Sequence, residues 1–332
     1  MSLAAYVHAL GRGPGRSRAL TQDEARDAMT QIIAGTAAPE AVGALLMLMR
    51  YRGETAPEIA GCAEALRASL PLWPGPPAGL DWPSYAAGRS RGLPWFLLSA
   101  RLVAMAGVPV LLHGWNGAQS GPASVRGALE IAGIPVAAGM DAAAAQLATT
   151  GITYLPLETF APRALELLRL REVLGLRSAV NTVLRVMNPS RAPAAVQGVF
   201  HPPYRALQAE ACGLLDLANL TVLKGGGGEF ERHPSKAVAL FGRRDGAEWS
   251  SEAPPLCDET RRLAPEQTGA ALDPQDLARL WSGACEDPFA TAIVLGTAEL
   301  ALQTAGHAAA RPLAESLWAR RNDTPPPNRL SH

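Results

Sequence analysis

Residues 108–155 read VPVLLHGWNGAQSGPASVRGALEIAGIPVAAGMDAAAAQLATTGITYL, and their rhythm decides the fold class. The run 108–112 is a short apolar segment suited to a buried strand. Residues 124–132 then have helical character and are closed by Gly133, 134–137 form a second strand signal, 142–148 a second helix and 152–155 a third strand. Short apolar runs alternating with helices predict βαβ units and a parallel sheet covered by helices. Downstream, 163–174 predicts a helix stopped by Gly175, and 178–187 another ended by Asn188 and Pro189. Residues 195–200, 220–223 and 237–241 are further strand candidates, and 274–320 returns to helices.

Upstream the pattern is helical throughout 1–72. Thr21 with Glu24, and Thr55 with Glu58, have the spacing of capping boxes, in which hydroxyl and carboxylate satisfy helix-end amides reciprocally. Ile59, Cys62, Ala63, Leu66 and Leu70 share one helical face, while 42–49 is apolar almost all round and predicts a buried middle helix. The Pro- and Gly-rich stretch 73–83 reads as a linker. The expected architecture is a small N-terminal helical domain, this linker, a larger α/β domain over 84–320 with a mostly parallel sheet flanked by helices, and a polar tail over 321–332.

Composition narrows the function. With 332 residues, 30 Lys+Arg against 30 Asp+Glu, and 48% hydrophobic residues, the chain is globular and is not a uniformly basic nucleic-acid coat. Its best apolar window, 93–112, is interrupted by Pro94, Arg101 and Pro109, so no membrane span is expected, and a cytoplasmic location is the default. Cys62, Cys212, Cys257 and Cys285 lie far apart without metal-ligand spacing, which predicts reduced thiols and no zinc. Neutrality hides segregation. Residues 163–191 carry six basic residues against two acids and 224–244 five against two, whereas 248–287 hold nine acids and three arginines. Only Lys224 and Lys236 among the basic residues are lysines.

Two segments carry candidate chemistry. KGGGGEFERHPSK, 224–236, follows a predicted strand, and its glycine amides suit a bound anion, although no Walker spacing is present. HGWNGAQSG, 113–121, places His113 and Asn116 beyond the end of another strand, where α/β sheets meet their ligands.

With these, FAPRALELLRLREVLGLRSAVNTVLRVMNPSRAP (160–193) completes a pattern that resembles the anthranilate phosphoribosyltransferase family. Phe160-Ala161-Pro162, Leu174-Gly175-Leu176-Arg177-Ser178, Asn181 and Asn188-Pro189 match that family's FAP, LGxRT, N and NP elements. The resemblance implies the nucleoside phosphorylase and class IV phosphoribosyltransferase fold, a homodimer formed through the helical domain, and an acceptor contact at Arg177. It also exposes departures. The family's NxST positions fall on Pro94, Phe96 and Leu97, and Phe230 replaces one of two adjacent magnesium-binding acids, leaving a vestigial Glu231.

Those departures, in SYAAGRSRGLPWFLLSA and LKGGGGEFER, are similar to the nucleic-acid-binding, YbiB-like branch of the family. On that resemblance the chain is expected to bind single-stranded DNA or RNA with little sequence preference, and the reading leans against enzyme activity while leaving it open. The expected phosphate-contacting set is Arg89, Arg91, His113, Asn116, Arg177, Lys224, Gly225, Gly226, Arg232, Lys236, Arg243 and Arg244, with Trp95, Trp115 and Phe230 as stacking faces. No catalytic residue, metal or cofactor is expected. The alternative is a glycosyl or phosphoribosyl transferase with an altered donor or acceptor, which alone would call for magnesium.

Overall fold

The computed structural model of the chain describes residues 2–86, 92–117, 121–259 and 272–323. Four helices open it: α1 (Leu3–Gly11), α2 (Gln22–Ile33), α3 (Pro39–Arg52) and α4 (Ala56–Ser69). Both capping boxes form. Glu24 Oε2 accepts the Thr21 amide at 2.9 Å while Thr21 Oγ1 accepts the Glu24 amide at 3.2 Å, and Glu58 Oε2 accepts the Thr55 amide at 2.9 Å. The other oxygen of the buried Glu58 accepts the Leu20 amide at 2.9 Å, tying the start of α4 to the start of α2. These two helices touch backbone to backbone at Gly61, where a Cβ would stand 2.1 Å from the carbonyl oxygen of Gln22.

The rest of the chain builds a seven-stranded sheet from β1 (Leu80–Ser84), β2 (Val110–Gly114), β3 (Ile152–Pro156), β4 (Ala194–Val199), β5 (Asn219–Lys224), β6 (Val238–Arg244) and β7 (Ala247–Ala253). Its order is β3-β2-β1-β4-β5-β6-β7; the first five are parallel, and β6 and β7 close one edge as an antiparallel hairpin. Helices α5 (Phe96–Met105), α6 (Val125–Ala128) and α7 (Met140–Thr150) belong to the first crossovers. Between β3 and β4 run α8 (Leu157–Phe160), α9 (Pro162–Arg169), α10 (Arg171–Leu174) and α11 (Val180–Val183). Then come α12 (Tyr204–Leu214), α13 (Asp276–Ser282), α14 (Pro288–Thr304) and α15 (Ala310–Ala319).

Period-two alternation sends side chains to two cores. Leu111, Leu155, Leu220 and Val222 join the N-terminal helices and α8, α9 and α11 on one face; Val110, Leu112, Tyr154 and Leu223 join α5 and α14 on the other. The helical domain expected over 1–72 therefore shares its core with the helices between β3 and β4.

The structure shortens the expected linker, because Leu80–Ser84 of 73–83 and its neighbour is β1. Asp81 and Pro83 argue against a strand by composition. Pro83 is tolerated because the ladder from β1 to β4 consists of Leu80 and Asp81 only, so no donor is missed there. The expected strand at 134–137 is reduced to one bridge between Val136 and Tyr154. No helix among the described residues is long and apolar enough to cross a membrane.

Candidate functional site

The strand order reverses between β1 and β4, and in open α/β sheets ligands sit beyond the carboxyl ends at that point. Here the glycine loop after β5 folds over it. Gly198 on β4 has no room for a side chain, since a Cβ would stand 2.0 Å from the backbone carbon of Glu229. A Cβ on Gly225 would meet the Glu229 oxygen at 1.7 Å, and Gly227 and Gly228 hold φ of 64° and 92°. The loop's amides are used internally: Gly225 donates to Val199 at 3.2 Å, Gly226 to Glu231 at 3.1 Å, Gly228 to Gly225 at 3.1 Å and Glu229 to Gly226 at 3.2 Å. The glycines serve conformation and close approach, so the expected anion cradle of backbone amides at Gly225 and Gly226 is corrected.

The carboxylates of the loop hold backbone too. Glu229 Oε1 accepts the Ser84 hydroxyl at 2.9 Å and the Ala86 amide at 3.2 Å, at the end of β1. Glu231 Oε2 accepts the Phe96 amide at 3.1 Å, at the start of α5. Between them Phe230 is fully buried, edge-on to Trp82 with centroids 5.4 Å apart. Both acids thus clamp the flanks of the loop between β1 and α5. Among the described residues no group of three His, Cys, Asp or Glu side chains has the arrangement to hold a metal ion. Phe230 supplies no ligand, and one oxygen of each acid is spent on this clamp.

Several expected ligand contacts are structural. His113 is fully buried, its Nε2 3.2 Å from Asp81 and its Nδ1 2.9 Å from the Tyr85 hydroxyl. Burial pushes the Tyr85 phenol well above its ordinary pKa. Asn116 donates to the Ser84 carbonyl at 3.4 Å and accepts from the Tyr154 hydroxyl at 2.7 Å. Arg232, 2% exposed, is paired with Glu299 at 3.0 Å and donates to the Pro254 carbonyl at 2.6 Å. Arg243 holds the Leu217 carbonyl at 3.1 Å, and Arg244 lies 4.2 Å over Trp249. Trp95 and Phe230 are buried, and Trp115 is partly buried. His113, Asn116, Arg232, Trp95 and Phe230 are thus buried away from a phosphate backbone, whereas Arg243, Arg244 and Trp115 are partly exposed. Arg89 and Arg91, and the tail beyond Asp323, lie outside the described residues.

Lys224 and Lys236 do come together. They line one cavity of about 350 Å³ with Arg205 of α12 and His233, beyond the end of β5. His233 Nδ1 accepts the Ser235 amide at 3.2 Å; burial, and then Lys236, lower its pKa.

A second cavity lies where the helical domain meets the α/β domain. Arg50 of α3, Arg177, Asn181, Arg185, Tyr204 and Gln208 line it. The Tyr204 hydroxyl donates to Glu54 at 2.9 Å and accepts from Arg50, which joins α12 to the end of α3. Arg185 donates to the Asn181 carbonyl at 3.1 Å and has no carboxylate partner among the described residues. Burial lowers its pKa, Glu229 opposing and Arg177 adding to the shift. Burial lowers that of Arg177 as well, with Arg171 and Arg50 contributing. Asn181 Oδ1 and Gln208 Oε1 are buried and accept no hydrogen bond from the described residues. Arg50, Arg185 and Gln208 were invisible in the sequence reading. The basic excess over 163–191 was the available signal for Arg185, and only the fold brings Arg50 to it.

The first unit matches the helical bundle domain of the glycosyl transferase family over residues 5–70. The chain is 33% identical to the anthranilate phosphoribosyltransferase of Methylobacterium nodulans over 69% of its own length and 68% of the relative's. It is 31% identical to that of Sphingopyxis alaskensis over 82% and 83%. The match to the Rhizobium rhizogenes enzyme, 32% identical, spans 61% of that relative. Among solved structures, anthranilate phosphoribosyltransferase from Thermus thermophilus superposes with a TM-score of 0.73 over 96% of this chain and 93% of that one, at 24% identity. The Saccharomyces cerevisiae enzyme, solved with PRPP and Mg, gives 0.73 at 16% identity over 97% and 93%. These relatives overturn the nucleic-acid-binding expectation and give no support to the lean against an enzyme: all carry a transferase name, and three of the arginines assigned to a phosphate groove, Arg232, Arg243 and Arg244, are engaged with Glu299, the Leu217 carbonyl and Trp249. With a seven-stranded α/β domain behind a helical bundle, and relatives aligned over most of both chains, this chain belongs to the anthranilate phosphoribosyltransferase family.

Proposed function

We propose that the chain is a phosphoribosyl-class transferase with a remodelled donor site, acting on a small acceptor that carries a negative charge and an amine or hydroxyl. The observation behind this reading is the cavity between the domains, where Arg50, Arg177 and Arg185 face buried amide oxygens of Asn181 and Gln208. Guanidinium groups suit a carboxylate, which they hold through paired donors. Buried acceptors without partners call for a ligand that donates hydrogen bonds, since leaving them unmade costs about 1–3 kcal/mol each. An acceptor with an acidic group and an N–H or O–H satisfies both.

In the transfer the donor's anomeric C–O bond breaks and pyrophosphate leaves with the electron pair. The acceptor's nitrogen or oxygen supplies the pair for the new bond and then loses its proton. Arginines do not accept that proton, so the cavity orients the acceptor and leaves deprotonation to solvent or to the departing pyrophosphate. Anchoring the carboxylate fixes which face of the acceptor meets the anomeric carbon, a positioning contribution to the barrier.

The test measures pyrophosphate release from phosphoribosyl pyrophosphate with a panel of amino- and hydroxy-bearing carboxylates, anthranilate included. Release that depends on one acceptor, with its KM raised at least about tenfold by Arg177→Ala and by Arg185→Met, is the expected result. Absence of acceptor-dependent release across the panel overturns the reading.

A further inference from the structure

The chain carries 28 arginines and two lysines, and both lysines, Lys224 and Lys236, line the same cavity. They come from opposite ends of the loop between β5 and β6, twelve positions apart, and are exposed to the cavity mouth. Arg205 reaches the same space from α12, held by the carbonyls of Pro202 at 3.2 Å and Ala239 at 3.3 Å. His233 stands on the wall, edge-on to Phe289. One acid, Glu231, borders the cavity, and its Oε2 is engaged by the Phe96 amide.

Arginine elsewhere in this chain fills the roles of a basic residue: ion pairs, carbonyl clamps, stacking on tryptophan. Lysine differs in being a compact point charge with three donors that can sit between several oxygens at once. That is the geometry a divalent cation offers to neighbouring phosphate oxygens, and the loop that carries these lysines sets the buried Phe230 between two acids that each hold the backbone of the neighbouring loop. The cavity also lies beyond the end of a parallel strand, where α/β sheets bind anions.

We propose that Lys224 and Lys236 hold a pyrophosphate group as paired ammonium ions, without a divalent metal, assisted by Arg205. The assignment deepens the transferase reading and rests on it, since the pyrophosphate is that of the donor and of the leaving group. In that role the two charges stabilise the leaving group as the C–O bond breaks, where negative charge develops.

Because lysine is so rare here, an amine-reactive acylating reagent followed by mass mapping reports on these two side chains and the α-amino terminus alone. With EDTA present, inorganic pyrophosphate slows labelling of Lys224 and Lys236 at least about tenfold relative to the α-amino group, and orthophosphate protects less. Calorimetry in the same buffer shows pyrophosphate affinity reduced at least about tenfold by Lys224→Met and by Lys236→Met, and reduced also by Lys224→Arg with Lys236→Arg. Equal labelling with and without pyrophosphate overturns the proposal, as does protection that appears only when magnesium is added, or full affinity in the double arginine variant. These readouts involve no acceptor and no turnover. Protection without acceptor-dependent pyrophosphate release would refute the transferase reading while leaving the pyrophosphate site in place.

Discussion

Glu231 accepts the Phe96 amide at 3.1 Å, so a carboxylate from the glycine loop caps the first turn of α5. Its geometry has a direct stability consequence. Glu231→Ala strands a buried amide and should lower unfolding free energy by about 2 kcal/mol in urea titrations, while Glu231→Gln, which keeps an acceptor oxygen, should lose less than about half of that. Millimolar magnesium should leave the thermal midpoint unchanged, since a ligand stabilises only by binding the folded state.

The glycine contacts make a second, graded prediction. Gly228→Ala forces a side chain into φ 92° and should cost about 1–2 kcal/mol. Gly198→Ala drives a Cβ toward backbone carbon at 2.0 Å and should cost more, about 3 kcal/mol, by displacing the loop from the end of β4. Chemical denaturation ranks the two; equal costs would mean the loop gives way easily.

Burial separates two ion pairs of similar length. Arg232 and Glu299 are 3.0 Å apart with side chains 2% and 18% exposed; Arg26 and Glu64 are 3.2 Å apart at 48% and 29%. Arg232→Ala should destabilise by about 3 kcal/mol, because Glu299 is left with only the longer contact to Arg311 at 3.7 Å and the Pro254 carbonyl loses its donor. Arg26→Ala should cost less than about 1 kcal/mol and show salt sensitivity. Denaturation at low and high salt checks both.

The capping box of α2 sets an acid limit. Hydrogen bonding from Arg18, reinforced by Thr21, holds Glu24 at about 2 against an ordinary 4.5. A depressed carboxyl pKa means the unfolded chain binds the proton first, so the contribution is fully present above about 4.5 and is lost as pH falls toward about 2. The stability difference between the native chain and Glu24→Gln should therefore shrink across that window. A difference independent of pH there would show that the ion pair contributes nothing.

Much of the fold was legible because the strands are apolar and the helix ends are marked by residues with local chemistry. Thr21, Glu24, Thr55 and Glu58 cap where their spacing says, and Gly175 stops α10 in the left-handed conformation. β1 was missed because Pro83 and Asp81 are compatible with a strand only when pairing to β4 ends before the proline. β7, polar along most of its length, is an edge strand with no apolar signal to read. The site was legible in parts. Arg177, Lys224 and Lys236, singled out for anion contacts, line cavities, whereas His113, Asn116 and Arg232 are polar groups engaged inside the protein. A sequence shows that a residue has ligand-binding chemistry; whether an internal partner already uses it depends on contacts 30 to 70 positions away, such as His113 with Asp81 and Arg232 with Glu299.

The packing of the glycine loop also makes its residues hard to replace one at a time. Phe230 is wedged against Trp82, Gly198 admits the Glu229 backbone, and Glu229 and Glu231 each secure one flank of the neighbouring loop. An aspartate placed at position 230 alone would bury an unpaired charge beside tryptophan, and freeing either glutamate alone would release a backbone amide into the interior. Each such change is a loss on its own, so the loop acts as an interlock in which one substitution is tolerated only when its neighbours change with it.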